Sequence, residues 1–124
     1  MAERNTILII DDDSRNIFAL KAVLKTKGYI VTSATEVREG LNILLQDSSI
    51  GIVLMDMMMP DIDGYEAMKL LREQLGTANI PVVAVTPQAM VGDGEKCLAA
   101  GATAYISKPV DVDVLLELLN EHLG

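Results

Sequence analysis

Apolar residues along this chain follow two alternating patterns. Continuous aliphatic runs, rich in β-branched side chains, recur at Ile7–Ile10, Tyr29–Thr32, Ile52–Met55, Pro81–Val85 and Ala104–Ile106. Such runs suit strands buried on both faces. Between them apolar residues repeat at helical spacing. Ile17, Leu20 and Leu24 do so within Ser14–Lys27, and Val37, Leu41 and Leu44 within Glu36–Leu45. Further helices are predicted over Tyr65–Leu75, from Asp93 to Gly101, and after Asp111, the last with Val114, Leu115, Leu118 and Leu119 on its apolar face. The punctuation agrees. Ser14 and Asp111 are predicted caps, Gly28 suits a left-handed C-terminal position, and Gly76 closes the third helix. The segment Met59-Pro60-Asp61-Ile62-Asp63-Gly64 reads as a turn, and Pro81 belongs at a strand start.

Strand and helix thus alternate five times, which predicts an α/β fold with a parallel sheet and right-handed crossovers. The ten elements use residues 1–124, so a single domain with no output domain is expected. In an open sheet of this kind ligands bind beyond the carboxyl ends of the strands, at the topological switch point.

Composition narrows the function. The 124 residues carry 18 acidic and 10 basic side chains, a net charge of −8, which disfavours binding to nucleic acid or an anionic membrane surface. A single cysteine, Cys97, excludes an internal disulfide framework and a cysteine-based zinc cluster. No basic leader followed by an apolar core and no apolar run of ~18 residues is present, so a cytoplasmic location is expected.

The strand ends concentrate the chemistry. Asp11-Asp12-Asp13 follows the first strand, Asp56 the third, Thr86 the fourth and Ser107-Lys108-Pro109 the fifth. Gathering these carboxylates is unfavourable without a cation. The donors are all oxygens, which suits Mg²⁺, Mn²⁺ or Ca²⁺, and their small number favours Mg²⁺ with retained waters. Asp13 has a second reading as the acidic cap of the first helix. The loop after the first strand has no glycine and three negative charges, so a dinucleotide or flavin phosphate is disfavoured there. Phosphoryl transfer onto a carboxylate would use these groups: an aspartate nucleophile, a metal, a lysine and a hydroxyl.

The pieces Ile9-Ile10-Asp11-Asp12-Asp13, Leu54 through Gly64, Val85-Thr86 and Tyr105-Ile106-Ser107-Lys108-Pro109 stand each at the end of the matching strand. In them the chain resembles the receiver domain of two-component response regulators, over nearly its whole length. Ser14-Arg15-Asn16-Ile17-Phe18 and Glu95 through Ala102 are similar to receivers of hybrid sensor histidine kinases. The resemblance implies a flavodoxin-like fold with strand order 2-1-3-4-5. It implies that Asp56 accepts a phosphoryl group from a histidine kinase or histidine phosphotransfer domain. Asp11, Asp12, Asp56 and the backbone carbonyl of Met58 would hold Mg²⁺, with Mn²⁺ as a substitute. Lys108 and Thr86 would bind phosphoryl oxygens, and Tyr105 would turn inward after Thr86. The Lys108–Pro109 bond is a candidate cis peptide. The output would be a protein contact. It would use the first helix, with Arg15, Lys21, Lys25 and Lys27, or the face of the fourth helix, fifth strand and fifth helix, which also serves homodimers.

Plainer roles compete. Thr86 can simply end a strand, Lys108 can be a solvated lysine and Tyr105 a strand aromatic. Met57-Met58-Met59 fills space better than it ligates Mg²⁺. Cys97 reads as a packing residue, and His122 as a partner of the last helix's dipole. Two residues depart from the family pattern. Pro87 lacks the backbone N–H usual after the switch threonine, worth about 1.5–3 kcal/mol as a charge-assisted bond, so the active state should be less favoured. Pro87→Ala should then switch more fully on phosphorylation. Met58 cannot orient an attacking water, so phosphoryl loss should be slower than in Met58→Asn. Two other functions stay open at this point: a receiver that signals without phosphorylation because of Pro87, and a phosphatase with Asp11 as nucleophile. The first reading makes the protein a switch rather than a turnover enzyme.

Overall fold

A computed structural model describes residues 5–57, 64–73, 80–86, 93–107 and 110–123. The element order is β1 (Thr6–Ile10), α1 (Ser14–Thr26), β2 (Ile30–Ala34), α2 (Val37–Gln46), β3 (Ile50–Asp56), α3 (Gly64–Glu73), β4 (Val82–Thr86), α4 (Asp93–Ala99), β5 (Ala104–Ser107) and α5 (Val112–Leu123). The strands pair in parallel, in the order β2-β1-β3-β4-β5. β1, β3 and β4 are buried along their whole length, as their unbroken apolar runs require.

Alternation along the strands divides the core in two. Leu8 and Ile10 of β1, with Val53 and Met55 of β3, join Val37, Leu41 and Leu44 of α2, Met68 and Leu71 of α3, and Cys97 of α4. Ile7, Ile9, Ile52 and Leu54 instead meet Ile17, Leu20 and Leu24 of α1 and Leu115 and Leu119 of α5. Each central strand therefore feeds both layers, which is the burial its sequence anticipates.

Several local expectations change. Asp13, not Ser14, caps α1: its backbone is extended (φ −93°, ψ 104°) and its carboxylate accepts the Arg15 N–H at 2.9 Å, while Ser14 is already helical. That favours the capping reading of Asp13, and the cap bonds lower its pKa. Glu36 precedes α2 as a cap residue whose side chain makes no capping bond. Val114 is 44% exposed, because Leu115 and Leu119 occupy the inward stripe of α5. Gly28 and Gly101 take φ +89° and +117° after α1 and α4, so α4 stops short of Gly101. Asp111 caps α5 as expected, accepting the Asp113 N–H at 3.0 Å. Met57 and Cys97 are buried packing residues. The expected closure of α3 at Gly76 lies outside the described residues.

Candidate functional site

In this strand order the switch point falls between β1 and β3, because the chain leaves β1 toward β2 and returns across it to β3. Ile10 is in register with Met55, so the next residue on each strand sets Asp11 beside Asp56. Both continue the parity of Ile9 and Leu54, the layer facing α1 and α5. The Asp11 N–H still bonds the Ala34 carbonyl at 3.1 Å, and the Met57 N–H bonds that of Val85 at 3.0 Å. The backbone around both aspartates is therefore fixed by the sheet.

Asp11 and Asp56 are 3% and 2% exposed, whereas Asp12 faces solvent. One carboxylate oxygen from each of the three lies within 4.8 Å of the other two. Such a cluster of like charges, two of them buried, suits a hard divalent cation with an open, water-facing side. Asp11 is oriented by donors on both oxygens. The Asp13 N–H reaches Oδ1 at 2.9 Å and the Asn16 Nδ2 reaches Oδ2 at 2.6 Å.

Thr86 ends β4, 5% exposed, one residue past Val85, the register partner of Asp56. Tyr105 is 45% exposed on the edge strand β5. Ser107 pairs with Thr86, so β5 ends level with β4. Met58, Pro87, Lys108 and Pro109 lie outside the described residues, and with them the expected Met58 carbonyl ligand, the Lys108 contact and the Lys108–Pro109 bond. Sequence reasoning did not single out Asn16 as a site residue. Its signal was its place on the first turn of the helix that follows the aspartates.

The response regulator receiver domain model matches residues 7–120. The chain belongs to the response regulator receiver family. A polar-differentiation response regulator, DivK, from Brucella suis is 32% identical to this receiver over 119 residues, covering 96% of each chain. The crystal structure of a response regulator receiver protein from Pseudomonas putida superposes on it with a TM-score of 0.88 at 27% identity, covering 98% of this chain and 99% of that one. The receiver domain of a sensor histidine kinase from Pseudomonas aeruginosa is 31% identical, with a TM-score of 0.86 over 97% of this chain and 98% of that one. That structure has a magnesium ion coordinated in its active site cleft. The likeness to a kinase-attached receiver agrees with the Ser14–Phe18 and Glu95–Ala102 stretches. This receiver is thus a domain of two-component signalling with the flavodoxin-like topology its sequence implied. Among the described residues no helix is long and apolar enough to cross a membrane.

Proposed function

We propose that this receiver takes a phosphoryl group onto Asp56 from a phosphohistidine on a histidine kinase or phosphotransfer domain. The observation that carries the reading is the buried Asp56 carboxylate at the end of β3, within 4.8 Å of carboxylate oxygens of Asp11 and Asp12. Asp11, Asp12, Asp56 and the Met58 carbonyl would hold Mg²⁺, for which Mn²⁺ could substitute. When bound, the cation offsets the carboxylate repulsion and neutralises phosphoryl oxygens. An Asp56 oxygen attacks phosphorus in line, the P–N bond breaks, and the leaving imidazole keeps the bonding pair and takes a proton. Lys108 and Thr86 receive the phosphoryl oxygens.

The aspartyl phosphate carries roughly two negative charges in place of the single charge of the Asp56 carboxylate, beside the buried Asp11. That charge biases a two-state equilibrium in which Thr86 and Tyr105 move together. Tyr105 has room to turn, being 45% exposed on an edge strand. The output is a protein contact in the cytoplasm rather than turnover of a substrate. Exposed Leu98, Tyr105 and Val114 on α4, β5 and α5 favour that face for a downstream target or a second copy. Arg15, Lys21 and Lys25 of α1, with Lys27 just after it, suit the acidic or phosphorylated donor.

Incubation with Mg²⁺ and a small acyl phosphate, followed by intact-mass measurement, tests the reading. One phosphoryl adduct on the wild type, absent from Asp56→Asn, is the expected result. No adduct, or one unchanged by Asp56→Asn, contradicts it.

A further inference from the structure

Asp11 carries a buried charge whose two oxygens are held from one side of the loop. Oδ1 accepts the Asp13 N–H at 2.9 Å, and Oδ2 accepts the Asn16 amide at 2.6 Å. An ionised carboxylate only accepts, so the nitrogen of the Asn16 amide must face it. Rotation of the carboxylate about its Cβ–Cγ bond would break both of these bonds. The two donors therefore hold the plane of the group beside Asp12 and Asp56. One of these donors is backbone and every residue but proline supplies it. The other is written in the sequence at position 16. Asparagine is a poor choice for helix propensity at the third residue of α1, and its bond to Asp11 accounts for its presence.

We infer that Asn16 is a positioning residue for the cation site: its side-chain amide locks Asp11 in the orientation that receives the metal, and so sets the affinity of this receiver for Mg²⁺. The inference rests on the reading of the aspartate cluster as a Mg²⁺ site. Partners one step removed from a metal typically change affinity by roughly 10–100-fold when lost.

Two substitutions separate the amide from the volume it fills. Asn16→Ala removes both; Asn16→Leu keeps the volume and removes the donor. A third, Thr26→Ala, removes a hydrogen bond at the far end of the same helix, from the Thr26 hydroxyl to the Val23 carbonyl at 2.6 Å. Titration calorimetry with MgCl₂ on the unphosphorylated proteins, with folding checked by circular dichroism, reads the effect without any phosphoryl transfer. Asn16→Ala and Asn16→Leu should both bind Mg²⁺ roughly 10–100-fold more weakly, with Thr26→Ala like the wild type. Wild-type affinity in Asn16→Leu overturns the inference, because the donor would then be dispensable. An equal loss in Thr26→Ala overturns it too, because the effect would be a general loosening of α1. In both cases Mg²⁺ binding by the wild type leaves the proposed function standing. Absence of Mg²⁺ binding by the wild type overturns that reading, and this inference with it.

Discussion

The two ends of the parallel sheet treat their polar groups in opposite ways. At the amino ends of the strands the Ser49 N–H and hydroxyl both donate to the Asp47 carboxylate, and Ser49 Oγ lies 3.1 Å from Thr6 Oγ1. The Val82 N–H finds Thr103 Oγ1 at 3.1 Å. Among the described residues there, the Asp47 carboxylate and the Val82 N–H each meet a hydrogen-bond partner of opposite character. At the carboxyl ends Asp11, Asp12 and Asp56 arrive from two strands and face one another. The Asp13 N–H and the Asn16 amide orient Asp11 within that cluster. The difference teaches that burial of polar groups is no sign of function in itself. What marks a site is a cluster of like charges drawn together from elements far apart in sequence.

The largest contrast between the two ends should appear in chemistry. Asp56→Asn should abolish phosphoryl uptake, while Asp47→Asn should leave it intact; loss in both would erase the distinction. Mg²⁺ comes next. At a hundredfold excess over its Kd it should stabilise the wild type by about 2.7 kcal/mol, read as a rise in melting temperature. Asp12→Asn should be more stable than the wild type without Mg²⁺ and respond less to it. A metal-free destabilisation by Asp12→Asn would contradict the repulsion argument.

Smaller effects sharpen the comparison through the packing below the site. A Cβ on Gly40 of α2 would clash with Ile10 Cδ1 and lie 2.8 Å from Ile10 Cγ1, inside the core and one residue before Asp11. Gly40→Ala should cost about 1–3 kcal/mol in overpacking, offset by up to about 1 kcal/mol of helix propensity. The melting temperature should fall, and a rise would show that Ile10 repacks freely. The smallest effect belongs to Asp47, whose pKa is lowered by its bonds to the Ser49 hydroxyl and N–H. A depressed carboxylate stabilises the fold above the unfolded value, about 3.9, and that contribution is lost as pH falls through the lower folded value. Asp47→Asn should therefore be the less stable protein at neutral pH, with the gap closing in acid. A gap that widens in acid would contradict the sign.

Much of this was legible before any coordinates. Runs such as Ile52–Met55 and Pro81–Val85 stand out because a strand covered on both faces has no polar side to show. Asp11, Asp12, Asp56 and Thr86 could be placed because they close such runs. Other features need three dimensions. Asp13 and Ser14 are both good caps, and only the backbone angles choose between them. Val114 looked like a core residue because four apolar residues in α5 span more than one stripe, and the sheet takes Leu115 and Leu119. Asn16 reads as an ordinary helix residue until α1 is seen to turn its first turn toward Asp11. Gly40 gives no sign of why it is glycine until α2 lies against Ile10. The strand order came from the family resemblance rather than from periodicity, which predicts parallel pairing but not which strands are neighbours.

The central claim is that Asp56, and not a neighbouring carboxylate, is the residue that carries the phosphoryl group. Borohydride reduction of the phosphorylated protein converts an acyl phosphate into the corresponding alcohol, and peptide mass analysis then locates the converted residue. Homoserine at position 56, appearing only after treatment with Mg²⁺ and the acyl phosphate, is the predicted result. Homoserine at position 11 in its place would make Asp11 the nucleophile and contradict the assignment.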